Sequence, residues 1–195
     1  MKNTAILKKI YTHEEYLTLE TQNDFRSEYY AGEIFAMAGG SLNHSLIAAN
    51  TTRGLGNALR DKDCIVLSSD LKIRLNSSDA YVYPDVSVVC GEPNYHDDRS
   101  DIITNPTIII EVLSPSTADF DRQEKMLRYI QLPSLQEYVI IDSRKIFVQV
   151  FKRHEKGKWL TSLYESLDSE VNLETIDVNI PMREIYFKVE FETPK

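Results

Sequence analysis

The sequence contains only two cysteines and lacks the CxxC motif and any spacing typical of a zinc site. Cys64 and Cys90 each lie among apolar residues with the pattern of strands, so we expect two buried free thiols and no disulfide.

Long hydrophobic runs are also absent. None approaches the ~18 apolar residues that a membrane-spanning helix requires, and the first residues contain no apolar stretch long enough for a secretory signal. The sequence therefore predicts a cytoplasmic protein with no membrane partner.

Positive charge is scarce as well. The chain has 22 Lys and Arg against 30 Asp and Glu, a net charge of -8. A protein that gains affinity by neutralising phosphates is expected to be basic, so this balance argues against strong nonspecific nucleic-acid binding. The charge is uneven, since residues 119–158 carry nine basic and six acidic side chains, whereas residues 161–195 carry three and eight. One face of the protein could therefore still be positive.

No repeat, low-complexity segment or linker divides the 195 residues, of which 42% are hydrophobic. This size and composition are typical of one globular domain. We expect a single mixed α/β domain over residues 1–195. Its core is predicted to run from about residue 11 to 153, and an acidic, strand-rich extension is predicted for residues 154–195.

Local patterns predict the order of the helices and strands. Thr12-His13-Glu14-Glu15 has the form of a capping box and predicts a helix to about Glu20. A hairpin is expected around Ala31-Gly32, and helical spacing predicts a second helix over residues 43–60. Strands are predicted at 64–67, 71–75, 81–90, 107–113, 137–141, 146–152 and 159–164, with a polar loop at 91–105 and a helix at 116–130. Pro84 is expected to interrupt the strand 81–90 near its start.

Two carboxylates stand in the most apolar of these strands. Asp85 follows Pro84 near the start of one strand, and Glu111 lies near the end of the next strong strand. A lone buried carboxylate costs several kcal/mol unless it is paired, protonated or bound to a metal. If the strands are neighbours, the two acids can converge on one Mg²⁺, with a backbone carbonyl such as that of Val112 as a further ligand. Without metal such a pair stores repulsion, so an amide in place of either acid should not destabilise the fold.

The same residues resemble a known group of nucleases. Pro84-Asp85, a spacer, and Glu111-Val112-Leu113 resemble the motif of the PD-(D/E)XK superfamily, which contains many restriction endonucleases. The lysine usual two residues after the glutamate is replaced by Leu113. The chain more closely resembles a bacterial subgroup of restriction-endonuclease-like proteins, called Uma-two-type, in which the lysine has moved to the following helix. Residues 111–117, 121, 125 and 129 carry this resemblance together with Glu28, Gly32, Met37, Gly39, His44 and Asp70, and it covers residues 11–153.

The resemblance implies roles for individual residues. Asp85, Glu111 and the Val112 carbonyl would hold the metal, and Lys125 would act with them. The spacing of Asp121, Lys125 and Tyr129 along one helical stripe supports Lys125 independently. Auxiliary roles are predicted for Asp70, His44, Glu28, Asp121 and Ser114. Four of the site residues have a simpler alternative, because Asp85 and Asp70 fit turns, His44 fits the start of a helix, and Lys125 fits an ion pair with Asp121. Ser114 is expected to be a hydrogen-bonding neighbour of the site.

Together these features predict a restriction-endonuclease-like twisted sheet flanked by helices that hydrolyses DNA phosphodiester bonds with Mg²⁺, for which Mn²⁺ could substitute. A homodimer is expected, because two sites related by a two-fold axis can cut both strands. Two alternatives stay open at this point. One is a nuclease fold that no longer cuts and serves as a binding module, which Leu113 and the acidic charge favour. The other is a metal-dependent hydrolase of a small phosphate ester.

Overall fold

The computed structural model describes residues 9–37, 39–114 and 125–191. Helices are α1 His13–Gln22, α2 Leu42–Ala58, α3 Met126–Tyr129 and α4 Met182–Ile185. The strands are β1 Ser27–Tyr30, β2 Glu33–Ala36, β3 Cys64–Ser68, β4 Lys72–Leu75, β5 Ala80–Val82, β6 Val86–Cys90, β7 Tyr95–His96, β8 Arg99–Ile103, β9 Ile108–Leu113, β10 Glu137–Asp142, β11 Val148–Arg153, β12 Trp159–Tyr164, β13 Glu170–Leu173 and β14 Val178–Pro181.

Two six-stranded sheets form the centre of the fold. The main sheet has the order β12-β11-β10-β9-β6-β3, and the second sheet has the order β2-β1-β5-β4-β8-β7. Both are mixed, because β9 pairs parallel to β10 but antiparallel to β6, while β4 pairs parallel to β8. The central strand β9 is buried along its whole length, as its continuous apolar sequence predicts.

Three apolar clusters hold the layers together. The inter-sheet core lies between the two sheets and joins residues such as Ile73 and Val82 of the second sheet to Ile109 and Tyr138 of the main sheet. An outer core packs α2 and the segment from β13 to α4 on the opposite face of the main sheet. A smaller cluster around Tyr16 packs α1 on the outer face of the second sheet. The expectation that helices flank one sheet on both sides is therefore too simple, because a second sheet covers the inner face.

Several local predictions are confirmed. The Thr12 hydroxyl accepts a hydrogen bond from the Glu15 amide, and the Glu15 carboxylate accepts one from the Thr12 amide, so the capping box starts α1. The β1–β2 hairpin turns at Ala31 and Gly32, both with positive φ. Glycine suits position 32 because it adopts positive φ without the strain that a Cβ atom would cause.

Two predictions between residues 81 and 105 are wrong. The expected strand 81–90 is split into β5 and β6, which belong to different sheets. Pro84 lies at the break, where its missing amide cannot continue a ladder. The expected loop 91–105 contains the hairpin β7–β8, whose turn uses Asp97 and Asp98 at positive φ. Polar strand residues concealed this hairpin from a reading of hydrophobic pattern.

The prediction of two free thiols is also wrong. Cys64 and Cys90 stand directly opposite each other in the antiparallel pair β3–β6, with a Cα–Cα distance of 4.0 Å, and form a disulfide. The sequence pattern placed each residue in a strand but did not give the register that brings them together. Cytoplasmic location stays a prediction. Within the described residues, no helix is both long and apolar enough to cross a membrane.

Candidate active site

Asp85 is held where the chain crosses from the second sheet to the main sheet. It directly precedes β6, and Val86 pairs with Ile110 of β9, so Asp85 stands beside the end of the strand that carries Glu111. Its Oδ2 accepts a hydrogen bond of 2.8 Å from the Val112 amide. The same oxygen lies 3.3 Å from Nε2 of His44, in the first turn of α2. Both side chains are largely buried, with 16% and 18% exposure, so Asp85 is fixed between a strand and a helix.

Glu111, Lys125 and Glu28 form a buried cluster, which we call the Glu–Lys–Glu triad. The Lys125 ammonium lies 3.3 Å from Oε1 of Glu111 and 3.2 Å from Oε1 of Glu28. All three side chains are at most 10% exposed. Lys125 therefore points to buried carboxylates from both sheets, and its charge lies close to Glu111 although Leu113 occupies the usual lysine position.

Two tyrosines fix the carboxylates of the triad. The Tyr129 hydroxyl donates a hydrogen bond of 2.7 Å to Glu111, and the Tyr30 hydroxyl donates one of 2.9 Å to Glu28. Burial raises the pKa of both phenols, and the nearby charge of Glu111 raises that of Tyr129 further. Both hydroxyls therefore stay protonated and act as donors. Sequence reasoning missed Tyr30, although it follows Glu28 by two residues on the same face of β1, and this spacing could have identified it.

A further buried acid, Glu20 of α1, supports the segment around Glu28. Glu20 accepts hydrogen bonds from both the amide and the hydroxyl of Ser27, at 2.7 and 2.6 Å, and from the Tyr83 hydroxyl at 2.5 Å. The Tyr83 amide in turn donates to Oε1 of Glu28 at 3.2 Å. Sequence reasoning missed Glu20 and Tyr83, because the packing of α1 on the second sheet creates these contacts.

The remaining predicted site residues lie in different places. Asp70 is 72% exposed in the turn between β3 and β4, where it forms an ion pair with Arg26, and the structure does not bring it into the triad. Ser114 directly follows β9 and is half-buried. Asp121 lies outside the described residues. The amide of Val112 anchors Asp85, and the role of its carbonyl as a metal ligand stays a prediction.

A metal ion needs several donor atoms that converge on it. Across residues 9–37, 39–114 and 125–191, no group of three or more His, Cys, Asp or Glu side chains is arranged to hold a metal. Asp85 and Glu111 supply carboxylate oxygens from neighbouring strands. Mg²⁺ is commonly bound by one or two carboxylates, with waters and substrate phosphate completing its shell. A pair of carboxylates is therefore a donor set of the kind that Mg²⁺ or Mn²⁺ binds, whereas a dedicated zinc site is built mainly from nitrogen and sulfur ligands.

Comparison with known proteins gives a consistent result. A family model described as "Uma2: Putative restriction endonuclease" matches residues 13–183. Two uncharacterized proteins of Synechocystis sp. (strain PCC 6803) are similar: slr1290 is 37% identical over 173 residues, 89% of this chain and 90% of that protein, and sll1609 is 36% identical over 163 residues, 84% and 92%.

A solved structure is similar in fold. The crystal structure of a "putative nuclease belonging to DUF820" from Anabaena variabilis matches with a TM-score of 0.73 at 18% identity, over 89% of this chain and 96% of that chain. At this identity the likeness concerns the fold alone. It confirms the expected mixed α/β fold of the nuclease type.

Proposed function

From the premise that this chain belongs to the Uma2 family, which is described as "Putative restriction endonuclease", we propose that it is an Mg²⁺-dependent endonuclease that hydrolyses DNA phosphodiester bonds. Family membership supports a nuclease in general. The dependence on metal and the choice of DNA are our proposal. The observation that carries it is the junction of two sheets at which Asp85 stands beside the strand of Glu111 and Lys125 points at Glu111.

Asp85 and Glu111 would hold the metal. When bound, the ion would lower the pKa of a coordinated water and offset the charge of the phosphate. Both acids are fixed before any ligand arrives, Asp85 by the Val112 amide and Glu111 by the Tyr129 hydroxyl. This preorganisation is useful for catalysis because no side chain has to be reoriented at the moment of reaction.

Lys125 contributes a fixed positive charge next to the carboxylates. Its ammonium lies between Glu111 and Glu28, so its charge stays beside a carboxylate that would hold the metal. Glu28 balances this charge in the free protein. We therefore assign Lys125 to stabilising the negative charge that grows on the phosphate, and Glu28 to holding Lys125 in place.

A cleavage assay with matched variants tests the proposal. Plasmid DNA, single-stranded DNA, RNA and a small phosphate ester are incubated with Mg²⁺, with Mn²⁺ and with EDTA. We expect DNA cleavage that needs the metal and that falls about 100-fold or more in Asp85→Asn and Glu111→Gln. The control is Glu137→Gln, because Glu137 is also a buried strand glutamate, on β10, but is not part of the triad.

The alternatives give different results in the same assay. Cleavage of the phosphate ester alone favours a small-molecule hydrolase, and metal-dependent DNA binding without cleavage of any substrate favours a binding module. Cleavage that survives in EDTA or in Glu111→Gln refutes the assigned metal site.

We also propose a homodimer that cuts both strands. Sedimentation of the active protein, together with a count of single-strand and double-strand breaks per plasmid, tests this proposal.

A further inference from the structure

We infer that Arg26 binds a phosphate group of a polynucleotide substrate next to the Glu–Lys–Glu triad; this inference rests on the proposed nuclease function. Arg26 immediately precedes β1 and is 46% exposed. Arg26 lies two residues before Glu28 along the chain. Its guanidinium is therefore attached close to the triad and is accessible to solvent.

Tyr83 ties Arg26 to both halves of the site. The Arg26 guanidinium lies 5.7 Å from the centre of the Tyr83 ring. The Tyr83 amide donates to Glu28, and two residues later in the chain Asp85 precedes β6. Arg26 consequently lies beside the segment 83–85, which contacts Glu28 at its first residue and ends at Asp85.

The acidic side chains around the site would repel a phosphate, so a cation at the position of Arg26 would favour its binding. Glu28, Asp85 and Glu111 are three acids, and Lys125 is shared between two of them. A phosphate that approached this group would meet net negative charge even with Lys125 in place, before any metal is counted. Lys72 also lies near Tyr83, but it is buried between Glu20 and Asp101. Arg26 is the exposed member of the two cations that flank Tyr83.

Arg26 has hydrogen-bonding capacity to spare. It donates through Nη1 to the Ser69 carbonyl at 2.9 Å and through Nη2 to the Asp70 carboxylate. A guanidinium has five donor hydrogens, so these contacts leave others for a phosphate. Asp70 is well exposed, and an exposed ion pair contributes little to stability, so a phosphate can share or replace it. Asp70 then acts as a tether that orients Arg26 and not as a metal ligand.

The test measures DNA binding apart from cleavage. The parent, Arg26→Ala, Arg26→Lys and Arg53→Ala are titrated with a labelled DNA duplex and with its single strand in EDTA, over a series of salt concentrations. Arg53 is a close match to Arg26, because it is 48% exposed, ion-paired to Glu184 and 5.7 Å from the centre of the Phe187 ring, but it lies on α2. Melting curves show that each variant is folded.

We expect Arg26→Ala to bind about tenfold more weakly at low salt, since it loses a charge-assisted hydrogen bond. The slope of log K against log salt concentration should fall by about 0.9 for the duplex or 0.7 for the single strand, the effect of one phosphate contact. Arg26→Lys should recover part of the affinity and the whole slope, and Arg53→Ala should match the parent. Asp70→Asn should leave the Mn²⁺ concentration for half-maximal cleavage unchanged.

Failure of this inference can be told apart from failure of the proposed function. A parent that binds DNA but does not cut it, with the expected loss in Arg26→Ala, keeps the inference and removes the nuclease proposal. A parent that cuts, while Arg26→Ala binds with the parent's affinity and salt slope, overturns the inference alone. It is also overturned if Arg53→Ala weakens binding equally, if the parent shows no salt-dependent binding to either strand form, or if Asp70→Asn raises the Mn²⁺ requirement.

Discussion

Removal of the Lys125 charge should unfold this protein far more readily than removal of a Glu111 charge. In Lys125→Met the long side chain is kept, but Glu28 and Glu111 lose the ammonium that pairs with both of them. Each ion pair, at 3.2 and 3.3 Å, corresponds to about 5 kcal/mol of attraction at an effective dielectric constant of about 20. Part of this is offset by desolvation, and the loss of one member of a buried ionic cluster typically costs about 3–5 kcal/mol.

In Glu111→Gln, by contrast, Lys125 keeps Glu28 as an ionic partner. The amide still accepts a hydrogen bond from Tyr129, so the free energy of unfolding should change by less than about 1 kcal/mol. The sequence led to the same expectation for this variant, on the ground that two carboxylates repel each other. The structure replaces that reason, because a lysine already lies between Glu111 and a second acid.

Urea unfolding measures both changes. The single tryptophan, Trp159, packs against the inter-sheet core that also contains Tyr129, and its fluorescence therefore reports on the layer around the triad. For a chain of this length, a loss of 3–5 kcal/mol lowers the melting temperature by about 10 °C. If Lys125→Met unfolds within about 1 kcal/mol of the parent, the ammonium is not buried between two carboxylates. If Glu111→Gln costs as much as Lys125→Met, Glu28 is not an effective partner.

Three further predictions concern stability. Burial raises the pKa of Glu137, whose Oε2 has no hydrogen-bond partner within the described residues. The native state then holds this proton more tightly than the unfolded chain, so the contribution of Glu137 to stability should fall as pH rises above about 4. Between about pH 4 and 8, Glu137→Gln should therefore gain stability relative to the parent in unfolding measurements. Replacement of both Cys64 and Cys90 with Ala should cost about 3 kcal/mol for a loop of this 26-residue separation, and a reductant should destabilise the parent but not the variant in urea melts. Thr12→Ala removes one half of the capping box and should cost about 1 kcal/mol by thermal unfolding, with Thr18→Ala in the middle of α1 as the control.

Local patterns sufficed where the structure depends on neighbouring residues. The Thr12 capping box, the Ala31-Gly32 turn and the apolar strand β9 follow from sequence spacing and backbone preference. The convergence of Asp85 with the strand of Glu111 was also predictable, because it requires only that β6 and β9 be neighbours. These are contacts within one element or between strands that follow closely in the chain.

Contacts between distant segments could not be predicted in this way. The Cys64–Cys90 disulfide depends on the register of β3 against β6, and hydrophobic alternation does not distinguish the register that aligns the two sulfur atoms from its neighbours two residues away. The partnership of Lys125 with Glu28 depends on the packing of the segment before α3 next to the second sheet, and the two residues are about a hundred positions apart in the chain. The division of the sheets at Pro84 was visible only as an interrupted strand.

The crossing of the chain at Pro84 has a consequence for motion. Glu28 belongs to the second sheet and Glu111 belongs to the main sheet, so the triad closes only while the inter-sheet core is intact. Backbone amides of β1, next to the edge strand β2, would exchange with solvent whenever that side of the second sheet opens locally. Each such opening withdraws Glu28 from Lys125 and displaces the neighbouring Arg26 with it. The rate of amide exchange in β1 therefore reports how often the site is incomplete, and it can be measured without any substrate.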